Sequence, residues 1–216
     1  MAVTPLRPTS GKDPEIKAWT SRRKLWRVHE DQFAADAFND SGKGDARFSP
    51  LFHAVGGKPI PVMYLADTRD GALAETVLHD CPIPPANWVL DFGKLRDKGL
   101  VLSPLKLAAK PRLINLTVKG LKRLGLTRAE VIDSGDYART RELAAWLYHT
   151  FPQAQGFKWV SRQDDEASSL LLFGDRLPRL ALKAAAAPEP TWTLPVEKEL
   201  LDLADTLGIE EILPVM

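Results

Sequence analysis

The 216-residue chain is 44% apolar and 26% charged, a balance that excludes a disordered polymer and a disulfide-stapled miniprotein and leaves one packed domain with short appendages. Its 29 Lys and Arg against 28 Asp and Glu give a net charge of +1, which excludes general electrostatic wrapping of nucleic acid. A single cysteine, Cys81, excludes an intrachain disulfide and a cysteine-rich zinc site, and no apolar run reaches membrane-spanning length. With Pro5, Pro8, Pro14 and charges where a signal peptide needs an apolar stretch, the expected setting is the cytoplasm.

Residues 1–24 lack apolar periodicity and end in Arg22-Arg23-Lys24, so they read as an extended arm or a frayed first helix. The alternation in Leu25-Trp26-Arg27-Val28-His29 predicts a strand on which Arg27 faces away from Trp26 and Val28. Asp31 to Phe38 reads as helix-like, and residues 40–46 and 56–59 have loop composition. A second strand is predicted over Pro61 to Ala66. From Thr68 or Asp70 the 3.6-residue spacing predicts a helix through Asp80, stopped by Cys81-Pro82, with Glu75 and His79 sharing a face.

Further strands are predicted at Trp88 to Phe92 and Gly99 to Leu102, followed by basic residues among leucines from Lys110 to Arg128. Arg139 to Phe151 is an amphipathic helix stopped by Pro152. Strands over Phe157 to Ser161 and Ser169 to Phe173 follow, with Gly174-Asp175 as a turn. Ala184 to Pro190 reads as a linker into a last helix, Val196 to Leu207. Residues 188–216 carry seven acids against Lys198 alone, an acidic face on a helix that docks on the same core or, in a sharper reading, binds a partner or shields a pocket. Irregular interleaving of strands and helices predicts an α+β (mixed α/β) domain over 25–183, with 1–24 as an arm and 184–216 as linker and acidic helix.

Several local motifs are absent: there is no G-x-x-x-x-G-K-S/T, no G-x-G-x-x-G at a strand-to-helix junction, no G-x-S-x-G and no H-E-x-x-H. Four scattered histidines give no sequence-local metal site, so no metal is expected. What remains is a set of polar residues beside predicted strands: Arg27, Arg47, Tyr64, Glu75 and Ser161. Singly, each has an ordinary explanation as a surface charge, a core aromatic with a wet hydroxyl or a strand end.

Together they form a pattern. Leu25-Trp26-Arg27-Val28, Ala46-Arg47-Phe48-Ser49-Pro50, Met63-Tyr64-Leu65-Ala66 leading to Ala74-Glu75-Thr76-Val77-Leu78-His79-Asp80, and Gly156-Phe157-Lys158-Trp159-Val160-Ser161-Arg162 followed by Leu172-Phe173-Gly174-Asp175-Arg176 resemble, in order, the motifs of the RES-domain family. The chain departs from many members in having Ser49 where they have Asn and a longer connection, residues 51–61, to the tyrosine.

The resemblance implies an ADP-ribosyltransferase-like domain with bent central sheets flanked by helices. It also implies a toxin of a bacterial toxin–antitoxin pair, acting on NAD by hydrolysis or phosphorolysis of the nicotinamide–ribose bond or by transfer of ADP-ribose to a protein. Carried over by residue, Arg27 and Arg47 are expected to bind the diphosphate, Tyr64 to bind and stack on a ring, Glu75 to stabilise the ribosyl cation, and Ser161 to orient Glu75 or a ribose hydroxyl. An Xre-type antitoxin is the implied partner, with no direct nucleic-acid or membrane contact by this chain. A non-catalytic partner-binding module built on the acidic helix is the competing class.

Overall fold

The computed structural model describes residues 5–20, 24–82, 84–85 and 87–215. Arg22 and Arg23 of the basic run lie outside the described residues. In chain order the elements are β1 (Ile16–Ala18), β2 (Leu25–Glu30), β3 (Val62–Ala66), α1 (Arg69–Thr76), β4 (Val89–Asp91) and α2 (Phe92–Asp97). Then come β5 (Leu100–Leu107), β6 (Arg112–Asn115), α3 (Val118–Leu124), α4 (Arg128–Val131), α5 (Tyr137–Thr150), β7 (Gly156–Val160) and β8 (Ser168–Phe173). A 3-10 turn (Gly174–Arg176) leads to β9 (Leu182–Ala184), β10 (Glu189–Pro190), α6 (Val196–Leu207) and β11 (Glu211–Leu213).

Nine strands form one mixed sheet in the order β1-β6-β7-β8-β3-β2-β5-β10, with β9 also paired to β5; β11 and β4 form a separate parallel pair. The fold class is the expected α+β. The decisive feature is the join between β3 and β2. β3 pairs with β8 over all five of its residues and β2 with β5 over all six, yet β2 and β3 meet only at Trp26 and Ala66. The sheet therefore forks. At the open end of the fork Asn39 replaces β2 as the partner of β3, exchanging backbone hydrogen bonds with Val62 at 2.9 and 3.0 Å.

The core follows the fork. Alternation along β3 sends Met63 and Leu65 to one face, where they pack with Leu25, Leu105, Leu113, Leu170, Leu172 and Leu182. The opposite face carries two separate clusters. One joins α3 and α5 to β7 and β8 through Leu121, Leu143, Leu147, Phe157, Trp159 and Phe173; the other joins α1, α2 and α6 through Leu73, Phe92, Leu95, Val196, Leu200 and Ala204. Tyr64 packs against the first and Trp26 against the second, so the fork opens where the two meet.

The structure departs from the sequence reading in several places. Residues 31–38 form turns rather than a helix: Arg27 Nη1 donates to the carbonyls of Ala35 at 2.9 Å and Ala37 at 2.7 Å, and an α-helix would turn those carbonyls to its own amides. Helix α1 ends at Thr76, four residues early, because the amides of Val77 and Leu78 both close on the Leu73 carbonyl and Leu78 is drawn fully into the core. His79 therefore lies beyond the helix and not one turn along it from Glu75. The arm is extended and built into the domain, with β1 on the edge of β6 and Leu6 buried beside α3 and α5.

Besides the apolar cluster under α6, one arginine ties the acidic tail to the body. Arg69 Nη1 and Nη2 donate to both oxygens of Glu189 at 2.8 and 3.0 Å, Nε donates to Glu199 at 2.9 Å, and the guanidinium lies 4.6 Å from the centre of the Trp26 ring. The hydrogen bonds Arg69 donates, to Glu189 first and then, against the effect of burial, to Glu199, raise its pKa, and Arg69 in turn lowers that of Glu189. Two of the seven acids thus fasten α6 and β10 to α1, while the rest of the acidic face is outward.

Helix α1 also depends on Gly71. Thr68 caps it by accepting from the Gly71 amide at 3.0 Å, and a Cβ on Gly71 would stand 2.4 Å from the Cβ of Ala167 and 2.8 Å from the Thr68 hydroxyl. Gly71→Ala is expected to lower stability by about 1–3 kcal/mol, the cost of overpacking a filled site, despite alanine's better helix propensity. Chemical denaturation checks this, and an unchanged midpoint would contradict the packing described here.

Candidate functional site

A cleft of about 310 Å³ occupies the fork, at the small end of the range for ligand pockets. Strand β2 contributes Trp26, Arg27 and Val28 to its lining, β3 contributes Val62 to Ala66, and α1 and its exit contribute Ala72, Glu75, Thr76 and His79. The 39–49 segment adds Asn39, Lys43, Arg47 and Ser49, and Trp159 forms part of the wall. Of the five residues expected to form the site, Arg27, Arg47, Tyr64 and Glu75 line this one cleft; Ser161 sits behind Glu75, fully buried.

Glu75, the penultimate residue of α1, is held from the far side. Its Oε1 accepts from the Ser161 hydroxyl at 2.5 Å and from the Arg162 amide at 2.7 Å. Its Oε2 takes no hydrogen bond among the described residues. Ser161 directly follows β7, where the chain turns: its hydroxyl also accepts from the amides of Gln163 and Asp164, both at 3.1 Å, and its carbonyl accepts from Arg128 Nη2 at 2.9 Å. A hydroxyl that accepts twice and donates once has one direction left for its proton, and that direction is Glu75. The carboxylate is thereby fixed in orientation.

Arg47 is 6% exposed, with its Nη1 donating to the Ser134 carbonyl at 2.7 Å and its guanidinium over the Tyr137 ring at 5.1 Å. Burial lowers its pKa, with Tyr137 and Glu75 acting in the opposite sense, yet a guanidinium stays protonated at neutral pH. Its carbonyl accepts from the Thr140 hydroxyl at 2.6 Å, which ties the arginine's backbone to the start of α5. Arg27 lines the cleft beside Trp26 and Val28, and burial pulls it down to about 10, still cationic at neutral pH. Its Nη1 braces the 34–37 carbonyls, leaving Nη2 and Nε without hydrogen-bond partners among the described residues.

Burial pushes the Tyr64 phenol up to about 12, so at neutral pH it is a neutral donor. Its oxygen accepts from the Phe48 amide at 3.0 Å, pinning the segment that carries Arg47, and its ring meets Trp159 edge-on at 6.1 Å. Sequence reasoning missed Trp159 and Lys43 as cleft residues, and also the pair His79 and Tyr137, whose Nε2 and hydroxyl lie 2.7 Å apart. Trp159 was legible in principle: on β7 its alternation partner is the fully buried Phe157, so it faces the same side. The His79 pairing carries no sequence signal, because 58 residues separate it from Tyr137.

Among the described residues no group of three or more His, Cys, Asp or Glu is arranged to hold a metal ion, and no helix is long and apolar enough to cross a membrane. The site offers two guanidinium groups, one oriented carboxylate and an aromatic wall. That combination suits an anionic ligand with a flat ring and a centre at which positive charge develops.

No curated protein matches the chain by sequence. Among solved structures, the chain is similar to one in the crystal structure of the M. tuberculosis MbcT–MbcA toxin–antitoxin complex, with a TM-score of 0.56 at 16% identity over 78% of this chain and 84% of that one. At that identity the likeness is one of fold. The family model described as RES domain matches residues 24–197, a span that takes in both arms of the fork and the docked α6 start, and on that match the chain belongs to the RES-domain family.

Proposed function

We propose that this chain is a RES-type toxin that binds NAD in the fork between β2 and β3 and breaks the bond between nicotinamide and ribose. The observation that carries the reading is the Glu75 carboxylate, locked by Ser161 and the Arg162 amide on one oxygen and open on the other, in the same cleft as Arg47.

The chemistry asks little of the protein beyond placement. Nicotinamide is cationic while attached to ribose and neutral once it departs, so no general acid is required. The ribose left behind is an oxocarbenium-like centre, and a carboxylate already oriented toward it stabilises the developing charge without reorganisation. Glu75 Oε2 takes that role and can also accept from a ribose hydroxyl. Ser161 is a positioning residue: its burial keeps it off the ligand, and its hydroxyl aims Glu75.

Arg47 and the free nitrogens of Arg27 take the diphosphate, and Lys43 extends the positive lining toward the surface. Tyr64, Trp26 and Trp159 supply faces and edges for the rings. At about 310 Å³ the cleft is at the small end for a ligand pocket, so the adenosine half extends toward Lys43 and the exposed 42–45 loop. An Xre-type antitoxin is the proposed partner, inserting a C-terminal segment at the cleft mouth beside Arg47. The solved neighbour, itself a chain of a toxin–antitoxin complex, supports an antitoxin partner of some kind.

Purified Glu75→Gln is expected to consume NAD at least about a hundredfold more slowly than the parental chain, the scale for losing one preorganised electrostatic group. Release of nicotinamide followed by chromatography measures it, and a parental rate would remove the assignment. Ser161→Ala frees the carboxylate while leaving its charge, and the loss of one charge-assisted hydrogen bond is expected to reduce turnover by about tenfold. A calorimetric titration of Arg47→Lys, which keeps the charge but not the planar fork, should weaken NAD binding by about tenfold; equal affinity would count against the diphosphate role.

A further inference from the structure

At the edge of the cleft a second group of polar side chains forms a line that the assignment above does not use. His79 Nδ1 lies 2.7 Å from Asp80 Oδ1, and His79 Nε2 lies 2.7 Å from the Tyr137 hydroxyl. A carboxylate only accepts, so the network places the imidazole proton on Nδ1 and leaves Nε2 to accept from Tyr137. The line is held from several elements. Gln163 Nε2 donates to the His79 carbonyl at 2.9 Å, the Arg47 guanidinium covers the Tyr137 ring at 5.1 Å, and Tyr137 opens α5, whose cap is Asp136.

We propose that Tyr137, His79 and Asp80 form a proton-accepting relay that suits the site to a neutral nucleophile bearing a proton, water or a hydroxyl compound, rather than to an anion such as phosphate. The inference rests on the NAD-cleaving function proposed above and specifies what attacks the ribose. Nucleophile oxygen bonds to the anomeric carbon as the carbon–nitrogen bond breaks, its electron pair leaving with nicotinamide. The nucleophile's proton passes to the Tyr137 oxygen while the tyrosine's own proton moves to His79 Nε2, and the resulting imidazolium is stabilised by Asp80. Atoms and charge balance without a further reactant.

The residues surrounding the line fit the task. Arg47 stands over the ring that transiently shares its proton. The arrangement divides the work: Glu75 answers the charge on the sugar, and the relay answers the proton on the attacker. The relay requires the nucleophile to reach the Tyr137 oxygen, which lies next to the cleft-lining His79 and below the cleft-lining Arg47; His79 and Asp80 act through it.

The test compares Tyr137→Phe and His79→Gln with the parental chain in phosphate-free buffer, reading nicotinamide release and identifying the ribosyl product by mass spectrometry, with and without sodium azide. Tyr137→Phe keeps the ring beneath Arg47, and NAD affinity measured by calorimetry controls for a damaged pocket. Both variants are expected to bind NAD as the parent does and to lose about a hundredfold in hydrolysis, the lower end of general-base contributions. Azide, an anion with no proton to surrender, should restore turnover in both and yield an ADP-ribosyl azide. Variants that hydrolyse NAD at the parental rate, or slow variants that azide does not restore, would overturn the relay and leave the Glu75 assignment standing. A parental chain inert toward NAD would overturn both.

Discussion

The hydrogen bond from the Ser161 hydroxyl to Glu75 joins the two halves of a divided sheet at the cleft between them. Ser161 directly follows β7, in the half built on β8, β6 and α5, whereas Glu75 lies in the last turn of α1, which packs with α2 and α6 in the other half. A bond of 2.5 Å between a hydroxyl and a carboxylate is charge-assisted and contributes about 1.5–3 kcal/mol where water is excluded. Its support runs deep: Arg128 on α4 holds the Ser161 carbonyl, and the amides of Gln163 and Asp164 saturate the hydroxyl. Without that support the carboxylate would sample several rotamers, and a stabilising charge that must be reoriented during reaction has lost most of its advantage.

Forking creates the cleft and also exposes backbone that the sheet would otherwise pair. β2 and β3 share one residue pair, so the strand edges beyond Trp26 and Ala66 need other partners. Asn39 supplies them for Val62, and the 34–37 carbonyls, which have no helix to enter, are taken by Arg27. Arg27 is thus both a brace for the fork and a cation at its lining. The same economy appears at Tyr64, whose oxygen satisfies the Phe48 amide and so fixes the approach of Arg47, and at Arg69, which stacks on the cleft residue Trp26 while fastening the acidic tail. Site and scaffold share side chains, which explains why the lining is rich in groups that are already partly bonded.

The strands β2, β3, β7 and β8 were legible as short apolar runs, β3 and β8 being buried on both faces, and the helices α5 and α6 by the apolar face each buries against the core. The candidate residues follow from the order of motifs that resembles the RES family, and Arg27, Arg47, Tyr64 and Glu75 line one cleft in the fold. What the sequence did not disclose is long-range. The 31–38 segment has helical periodicity, but a single arginine side chain outcompetes the helix for its carbonyls. Short elements such as β1, β6, β9 and β10 are strands only because a neighbour's edge is present, β9 and β10 lying in succession along β5. The line from Asp80 through His79 to Tyr137 exists because α1 stops early and the chain turns toward α5, an outcome of burying Leu78 that periodicity does not encode.

The central claim is a matter of position, and a crystal structure of the Glu75→Gln chain soaked with NAD tests it most directly. The account predicts the ribose attached to nicotinamide beside residue 75, with a hydroxyl toward the Oε2 side, and the diphosphate on Arg47 in the mouth of the fork. A dinucleotide bound elsewhere, or bound in the fork with its diphosphate at residue 75 and its nicotinamide ribose turned to solvent, would contradict it.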